Sequence, residues 1–233
     1  MNFFATTVKP RQRLKKNLFL LLLIALLSLL FFLSGCKKKI DYFSYVSEIR
    51  SNILLAETED FSLRIFIGER EVPYSADGVA RESSPRFDAY LVAPNGTKTC
   101  EFYFKIGNDS YGGEMSYDNV KGEYYYFCTL SVENLQAVSC EILFGDEKVV
   151  LEAKSVLTEQ TLSPQNILSK LLETEKDVFS ALTDKYGFAG EIGIRLIYED
   201  NPYYYVGIID RKGHVNAFLL NAETGKLLAK RQS

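Results

Sequence analysis

The sequence predicts a mainly β, α+β protein: an antiparallel β-sandwich, then a small domain with one helix packed on a three- to four-stranded antiparallel sheet. Three observations predict it. From Phe61 the apolar residues recur at every second position in a series of short runs, the period of half-buried strands. Polar, glycine-bearing turns separate those runs. After Ser163 the period changes once, to the three-and-four spacing of an amphipathic helix, before alternation resumes. The 15 Tyr and 16 Phe, with Val, Ile and Thr, add strand-favouring side chains.

Residues 1–35 form a leader. The apolar run Leu18–Leu33 is interrupted only by Ser28. As a helix it would span roughly 24 Å, short of the ~30 Å hydrocarbon core of a bilayer. Lys9, Arg11, Arg13, Lys15 and Lys16 precede it, and the first 35 residues contain no acid. A basic segment, a short apolar segment and small residues in that order read as a secretory signal peptide. Leu33-Ser34-Gly35-Cys36 resembles the lipobox of bacterial lipoproteins, an apolar residue and two small ones before a cysteine. The resemblance implies cleavage before Cys36 and a diacylglyceryl anchor on its thiol, with palmitate among the attached chains. It places the mature protein on the extracytoplasmic face of the cell membrane. Two acyl chains, at about 0.8 kcal/mol per buried methylene, hold a protein where one is marginal. Lys37, Lys38 and Lys39 would then lie against anionic headgroups.

Residues 36–60 form the lipid-attachment segment. Within Ile40–Ala56 the spacing of Phe43, Val46, Ile49 or Arg50, and Ile53 permits a helix, while Ile53-Leu54-Leu55-Ala56 equally suits a strand. The sandwich occupies 61–156. Phe61, Leu63, Ile65 and Ile67 alternate with Ser62, Arg64, Phe66 and Gly68. Further strands are expected at Arg86–Val92, Lys98–Ile106, Glu123–Leu130, Gln136–Phe144 and Lys148–Ala153. Asn95-Gly96 lies between the first two of these and predicts a hairpin, because both turn residues need positive φ. Gly107–Gly122 reads as a polar, glycine-bearing loop. Short antiparallel strands at this spacing suggest a sandwich that is immunoglobulin-like in outline.

Residues 157–162 read as a linker, and 163–233 as the α+β domain. Ser163 caps a helix and Pro164 suits its first turn. Ile167, Leu168, Leu171, Leu172, Val178, Phe179, Leu182 and Tyr186 continue it, and Gly187 fits a stop. Strands follow at Glu191–Tyr198, Tyr203–Ile209, His214–Leu220 and Lys226–Ala229, and the helix can cover one face of their sheet. The tail Val206–Arg231, with Asn221-Ala222-Glu223-Thr224-Gly225 at its last turn, resembles the end of a PepSY domain. That family often has Asp where this chain has Asn221; either side chain supports the turn. The resemblance implies an exported protein and, for some members, restraint or binding of a peptidase.

The whole chain has 27 basic and 30 acidic residues; the leader removes five basic ones, leaving 22 against 30, a balance of −8. That argues against nucleic acid as a partner. Cys100, Cys128 and Cys140 fall in phase with apolar neighbours and read as small buried hydrophobes, a Cys100–Cys128 or Cys128–Cys140 bridge being the alternative. Their spacing suits no zinc site, and no cofactor motif occurs. His214 is the only histidine, so a hydrolase triad would depend on a residue beside a hairpin turn. The expectation is therefore a non-enzymatic envelope protein with a binding or interaction role. Regulation of a secreted peptidase, or an unrecognised hydrolase, are the alternatives. The runs Tyr124-Tyr125-Tyr126-Phe127 and Tyr203-Tyr204-Tyr205 must each put at least one ring on an outer or inter-domain surface, since neighbours on a strand face opposite ways. Tyr124, Tyr126, Tyr203 and Tyr205 are the candidate contacts for a protein, peptide or glycan partner.

Overall fold

Alternating sequence becomes strand almost throughout. The computed structural model describes residues 40–94 and 98–233; Leu33, Ser34, Gly35 and Cys36 lie outside the described residues. The protein is mostly antiparallel β, and Asp41–Ser233 forms one compact unit. The segment left open between helix and strand contains a single 3-10 turn, Tyr42–Tyr45, and then the strand β1, Val46–Glu57. β2 (Ser62–Glu71) and β3 (Ser83–Val92) follow, then β4 (Cys100–Ile106), β5 (Asp109–Glu114), β6 (Ser116–Asp118), β7 (Glu123–Cys128), β8 (Ala137–Phe144) and β9 (Glu147–Ser155).

β1 is the branch point of the sheet. One edge pairs with β2, from Glu48 opposite Arg70 to Glu57 opposite Ser62. The other edge is shared. Val46–Arg50 pairs in parallel with a late strand, β12 (Gly190–Tyr198), and Leu54 and Leu55 pair with Ser155 and Lys154 of β9. The β1–β2 register slips between Arg50 and Asn52, leaving Ser51 as an extra residue. A bulge of this kind bends a strand and sharpens its twist, and it falls where β1 changes partners.

The result is an almost closed barrel with two walls. One is β1-β2-β3-β7-β6; the other is β9-β8-β4-β5. Leu63, Ile65, Phe87, Phe102 and Ile142 are all fully buried between them. The rings of Phe87 and Phe104 stack across the gap with centroids 4.3 Å apart. Closure on the far side is incomplete, because β5 pairs only with β4 and β7 only with β3 and β6.

Two sequence expectations change here. β3 and β4 do not form a hairpin around Asn95-Gly96: β3 pairs with β2 and β7, and β4 with β5 and β8. Asn95 and Gly96 themselves lie outside the described residues; β3 and β4 stand in facing walls of the one large sheet, where Phe87 is buried against Phe104. The stretch read as a loop, 107–122, contains β5 and β6. Gly107, at φ 60, and Asn108 make the two-residue turn that joins β4 to β5. The cysteines follow the main sequence reading rather than the bridged alternative: Cys100, Cys128 and Cys140 are free, the first and last buried and Cys128 half-buried. Burial pushes the thiols of Cys100 and Cys140 up to about 11 and about 12, so both stay protonated.

The helical segment is shorter than its periodicity predicts. Ser163 caps α1 (Pro164–Thr174) by accepting from the Asn166 amide at 3.2 Å. Glu175 leaves helical geometry, α2 spans only Lys176–Ala181, and a small hairpin follows: β10 (Thr183–Asp184) and β11 (Gly187–Phe188). Gly187 is therefore not a helix stop. Phe179 and Phe188 clamp Tyr42 edge-on at 5.1 and 5.3 Å, and this contact overrides the continuing helical pattern. β12, β13 (Pro202–Asp210), β14 (Val215–Asn221) and β15 (Leu227–Gln232) form an antiparallel meander. Alternate residues such as Ile194, Val206 and Phe218 are buried, as are Ile167, Leu168 and Leu171 of α1. Through β12 the meander continues directly into β1 and the barrel wall.

Candidate functional site

The outward face of the wall β2-β3-β7 carries rings and charges at the positions that alternate with the core. Phe66, Tyr90, Tyr125 and Phe127 form a row. Centroid separations are 5.4 Å for Phe66–Tyr90, 6.1 Å for Tyr90–Tyr125 and 5.8 Å for Tyr125–Phe127, the last pair nearly parallel at 6°. Phe127 is 52 % exposed. The Arg86 guanidinium lies 5.0 Å from the Phe127 centroid. Asp88 fixes it by accepting from Nε at 3.2 Å and Nη2 at 2.6 Å. Cross-strand pairing places these groups: Asp88 is opposite Phe127, and Tyr90 opposite Tyr125.

Toward β1 the same face becomes rich in arginine. Arg195 of β12 donates through Nε to Glu48 Oε2 at 2.8 Å. Burial works against the Arg195 charge, but the Glu48 carboxylate outweighs it and raises its pKa. Arg50 stands over Phe66 with its guanidinium carbon 3.9 Å from the ring centroid. Burial lowers the Arg50 pKa from the ordinary guanidinium value; Glu48 opposes that shift and Arg195 adds to it. A shallow notch of about 40 Å³ opens here, bordered by the guanidiniums of Arg50, Arg70 and Arg86, the carboxylates of Glu48, Glu69 and Asp88, and the rings of Phe66 and Tyr90. Gly68 lies in its floor, where an added Cβ would fall 1.8 Å from the Ile49 carbonyl oxygen. Only glycine lets β1 and β2 approach this closely.

One end of the face is covered. The loop 72–82 folds over it, and Gly78, at φ +74, packs where an added Cβ would lie 2.4 Å from the Asp210 backbone. The Glu71 carboxylate holds the loop by accepting from the Ser75 and Arg81 amides at 3.2 and 3.1 Å. Beneath lies Glu191, fully buried, with no well-formed hydrogen bond to either carboxylate oxygen among the described residues. Burial raises its pKa, the charges of Glu71 and Asp77 raise it further, and the amides of Gly78 and Val79 only partly oppose them.

The structure separates the four tyrosines named from sequence. Tyr124 is only 3 % exposed, and its hydroxyl donates to the Lys98 carbonyl at 2.9 Å. Tyr126 faces Phe102 at 5.6 Å on the core side. The outward members of that run are Tyr125 and Phe127, the opposite phase. Tyr203 and Tyr205 are half-buried on the meander face that bears Arg195, which stands 5.9 Å over Tyr205. Sequence reasoning also missed Arg50, Phe66, Arg70, Arg86 and Tyr90. The available signal was the parity of β2 and β3: with Ile65 and Phe87 inside, Phe66 and Arg86 must point out.

A larger cleft of about 530 Å³ opens beside the start of α1. Asn52 and Tyr204, which line it, are already engaged. Asn52 donates to the Leu135 carbonyl at 2.9 Å and accepts from Ser155 at 2.7 Å, and the Tyr204 hydroxyl donates to the Leu162 carbonyl at 3.1 Å. These bonds tie strands and linker together. His214 sits on the exposed β13–β14 turn with Nδ1 2.9 Å from Asp210 Oδ2. Among the described residues no group of three or more potential metal ligands occurs.

Comparison with protein-family models, with curated proteins and with solved structures finds no match for this chain.

Proposed function

We propose that this chain is a lipid-anchored extracytoplasmic envelope protein with a non-catalytic binding role. The ligand surface is the outward face of β2, β3 and β7, and the ligand is a glycan bearing acidic groups. The observation that carries this reading is the outward row Phe66–Tyr90–Tyr125–Phe127, half-buried along its length and exposed at Phe127, with guanidiniums beside it. Flat rings give the C–H faces of sugars a rigid, weakly negative platform, and they lose little side-chain entropy on binding. Arginine adds planar forks for acidic substituents. The anchor is supported by the leader and by Leu33-Ser34-Gly35-Cys36.

The finer architecture belongs to the same proposal. An immunoglobulin-like sandwich over 61–156 is supported by the two facing walls. A PepSY-like α+β domain over 163–233 is supported by the order of helices and antiparallel strands, and by the last turn. There Asn221 Oδ1 accepts from the Glu223 and Thr224 amides at 3.1 and 2.9 Å, and Gly225 takes φ +69. This domain favours a second reading, control of a secreted peptidase. It predicts a changed rate when the full-length protein is added to a purified secreted peptidase; unchanged rates across the secreted peptidases remove it.

The main reading is tested with the full-length protein in detergent. Radiolabelled palmitate should enter the wild type and not Cys36→Ala; equal labelling of both overturns the anchor. Insoluble envelope polysaccharide should retain the protein, and Phe127→Ala or Tyr125→Ala should weaken retention about tenfold, the weight of one well-stacked ring. Retention indifferent to both substitutions, or retention by envelope peptides alone, overturns the assignment of this face.

A further inference from the structure

We propose that the notch between Arg50 and Arg70 binds a phosphate-type dianion, the acidic substituent of the ligand. The inference rests on the reading of this face as the binding surface. Most guanidiniums near this face are paired. Arg195 has Glu48, Arg86 has Asp88, Arg64 has Glu123 at 2.6 Å, and Arg81 has Asp77. Arg50 and Arg70 have no carboxylate partner and no hydrogen-bond acceptor among the described residues. They are close neighbours across β1 and β2, since Arg50 pairs with Gly68 and Arg70 with Glu48. Both border the same notch.

Neither guanidinium is simply solvated. The Nε of Arg70 is buried without an acceptor, an arrangement that native structures seldom leave unmet. Its guanidinium carbon stands 5.7 Å over the Tyr74 ring. Arg50 stands over Phe66, and burial of its charge is opposed only by Glu48, Tyr90 and Asp88. A ring beneath a guanidinium fixes its plane and leaves its N–H edge free to fork onto oxygen. Two such forks without an acceptor, at a rim where Arg50, Arg70 and Arg86 alternate with Glu48, Glu69 and Asp88, suit the three acceptor oxygens of a phosphomonoester, which carries about −1.5 to −2 near neutral pH. A single carboxylate leaves one of them unmatched. Tyr90 borders the notch and begins the run of rings to Tyr125 and Phe127, so a phosphate seated there projects its sugar onto the aromatic row.

The test is titration of the full-length protein in detergent with inorganic phosphate, a hexose phosphate and acetate, followed by calorimetry. Phosphate is expected to bind saturably, hexose phosphate more tightly, and acetate at least tenfold more weakly. Phosphate binding should strengthen as pH rises through about 6, the second ionisation of a phosphomonoester. Arg50→Gln and Arg70→Gln should each weaken phosphate at least tenfold. Arg70→Lys keeps the charge without the fork and should fall between wild type and Arg70→Gln. Phe127→Ala should leave inorganic phosphate unchanged while weakening polysaccharide, so the notch and the aromatic row fail separately. Acetate binding as tightly as phosphate, no saturable phosphate binding, or affinity indifferent to both glutamine variants overturns the proposal. Vesicles of phosphatidic acid separate a lipid source from a glycan one: binding through the notch that exceeds hexose phosphate overturns the glycan assignment.

Discussion

The two faces of the wall formed by β1, β2, β3 and β7 differ completely in chemistry although they share every strand. Inside are Leu54, Leu63, Ile65, Phe87, Ala89 and Leu91, all fully buried. Outside, one residue away in each case, are Arg64, Phe66, Asp88 and Tyr90, with Phe127 more than half exposed. Side chains on the inside have no alternative to packing, because solvent is absent there. Those on the outside are held by cross-strand pairs and cation–ring contacts, each worth only ~0.2–1 kcal/mol. The contrast separates two tasks: the interior keeps the barrel folded, and the exterior is free to carry recognition.

The strongest way to break this contrast is to strike the inner face. Phe87 is fully buried and stacked on Phe104 across the core. Phe87→Ala removes that ring from between the two walls and should destabilise the protein by about 3–5 kcal/mol, the range for large-to-small aromatic replacements in cores. The urea midpoint should fall with little change in slope. A loss below about 1 kcal/mol would mean that the walls collapse onto the gap, and that the core is less rigid than the close stacking implies.

A second, smaller effect sharpens the comparison, because one part of the outer face is buried. Glu191 lies beneath the loop 72–82, beside Glu71 and Asp77. Burial raises its folded pKa above the ordinary value of 4.5, with Glu71 and then Asp77 adding to the shift. Below that ordinary value both folded and unfolded states hold the proton, and the group is neutral in its effect. As pH climbs toward the folded pKa the unfolded chain has already ionised, so the folded state loses relative stability. Glu191→Gln removes the titration. The variant should match the wild type at about pH 4 and exceed it at about pH 8 in chemical denaturation. Curves that run parallel across that window would assign the pH dependence elsewhere.

Much of this division can be read from alternation alone. The phase Leu63-Ile65-Ile67 marks an inward face, and the positions of most strands follow from such runs. What alternation cannot supply is partnership. Asn95-Gly96 announces a reversal but not that β3 and β4 end up in different walls, because that depends on Phe87 meeting Phe104 across the core. β1 looks ambiguous because the bulge at Ser51 and pairing on both edges dilute its period-two signal. The helix after Ser163 looks longer than it is, because Val178, Phe179 and Leu182 keep helical spacing while Phe179 packs on Tyr42 and Phe188. The candidate site was hidden for a related reason. Its arginines come from β1, β2, β3 and β12, which are far apart in sequence, and which of them has a carboxylate partner is a spatial fact.

The smallest expected effect comes from neighbours on one strand. Tyr126 and Phe127 are consecutive, both aromatic and both in β7. Tyr126 turns inward against Phe102 and Phe104 at 5.6 and 6.5 Å. Phe127 turns outward, stacked on Tyr125 and touched by Arg86. Truncating the inner ring opens a gap between the walls, whereas truncating the outer one removes a half-exposed side chain whose contacts water can replace. Phe127→Ala should therefore leave stability within about 0.5 kcal/mol of the wild type, while Tyr126→Ala should lower it by at least about 2 kcal/mol. Thermal or urea denaturation of both variants checks the pair. Equal losses would mean that the outward row helps to hold the sheet together, and its rings would no longer be free to serve a ligand.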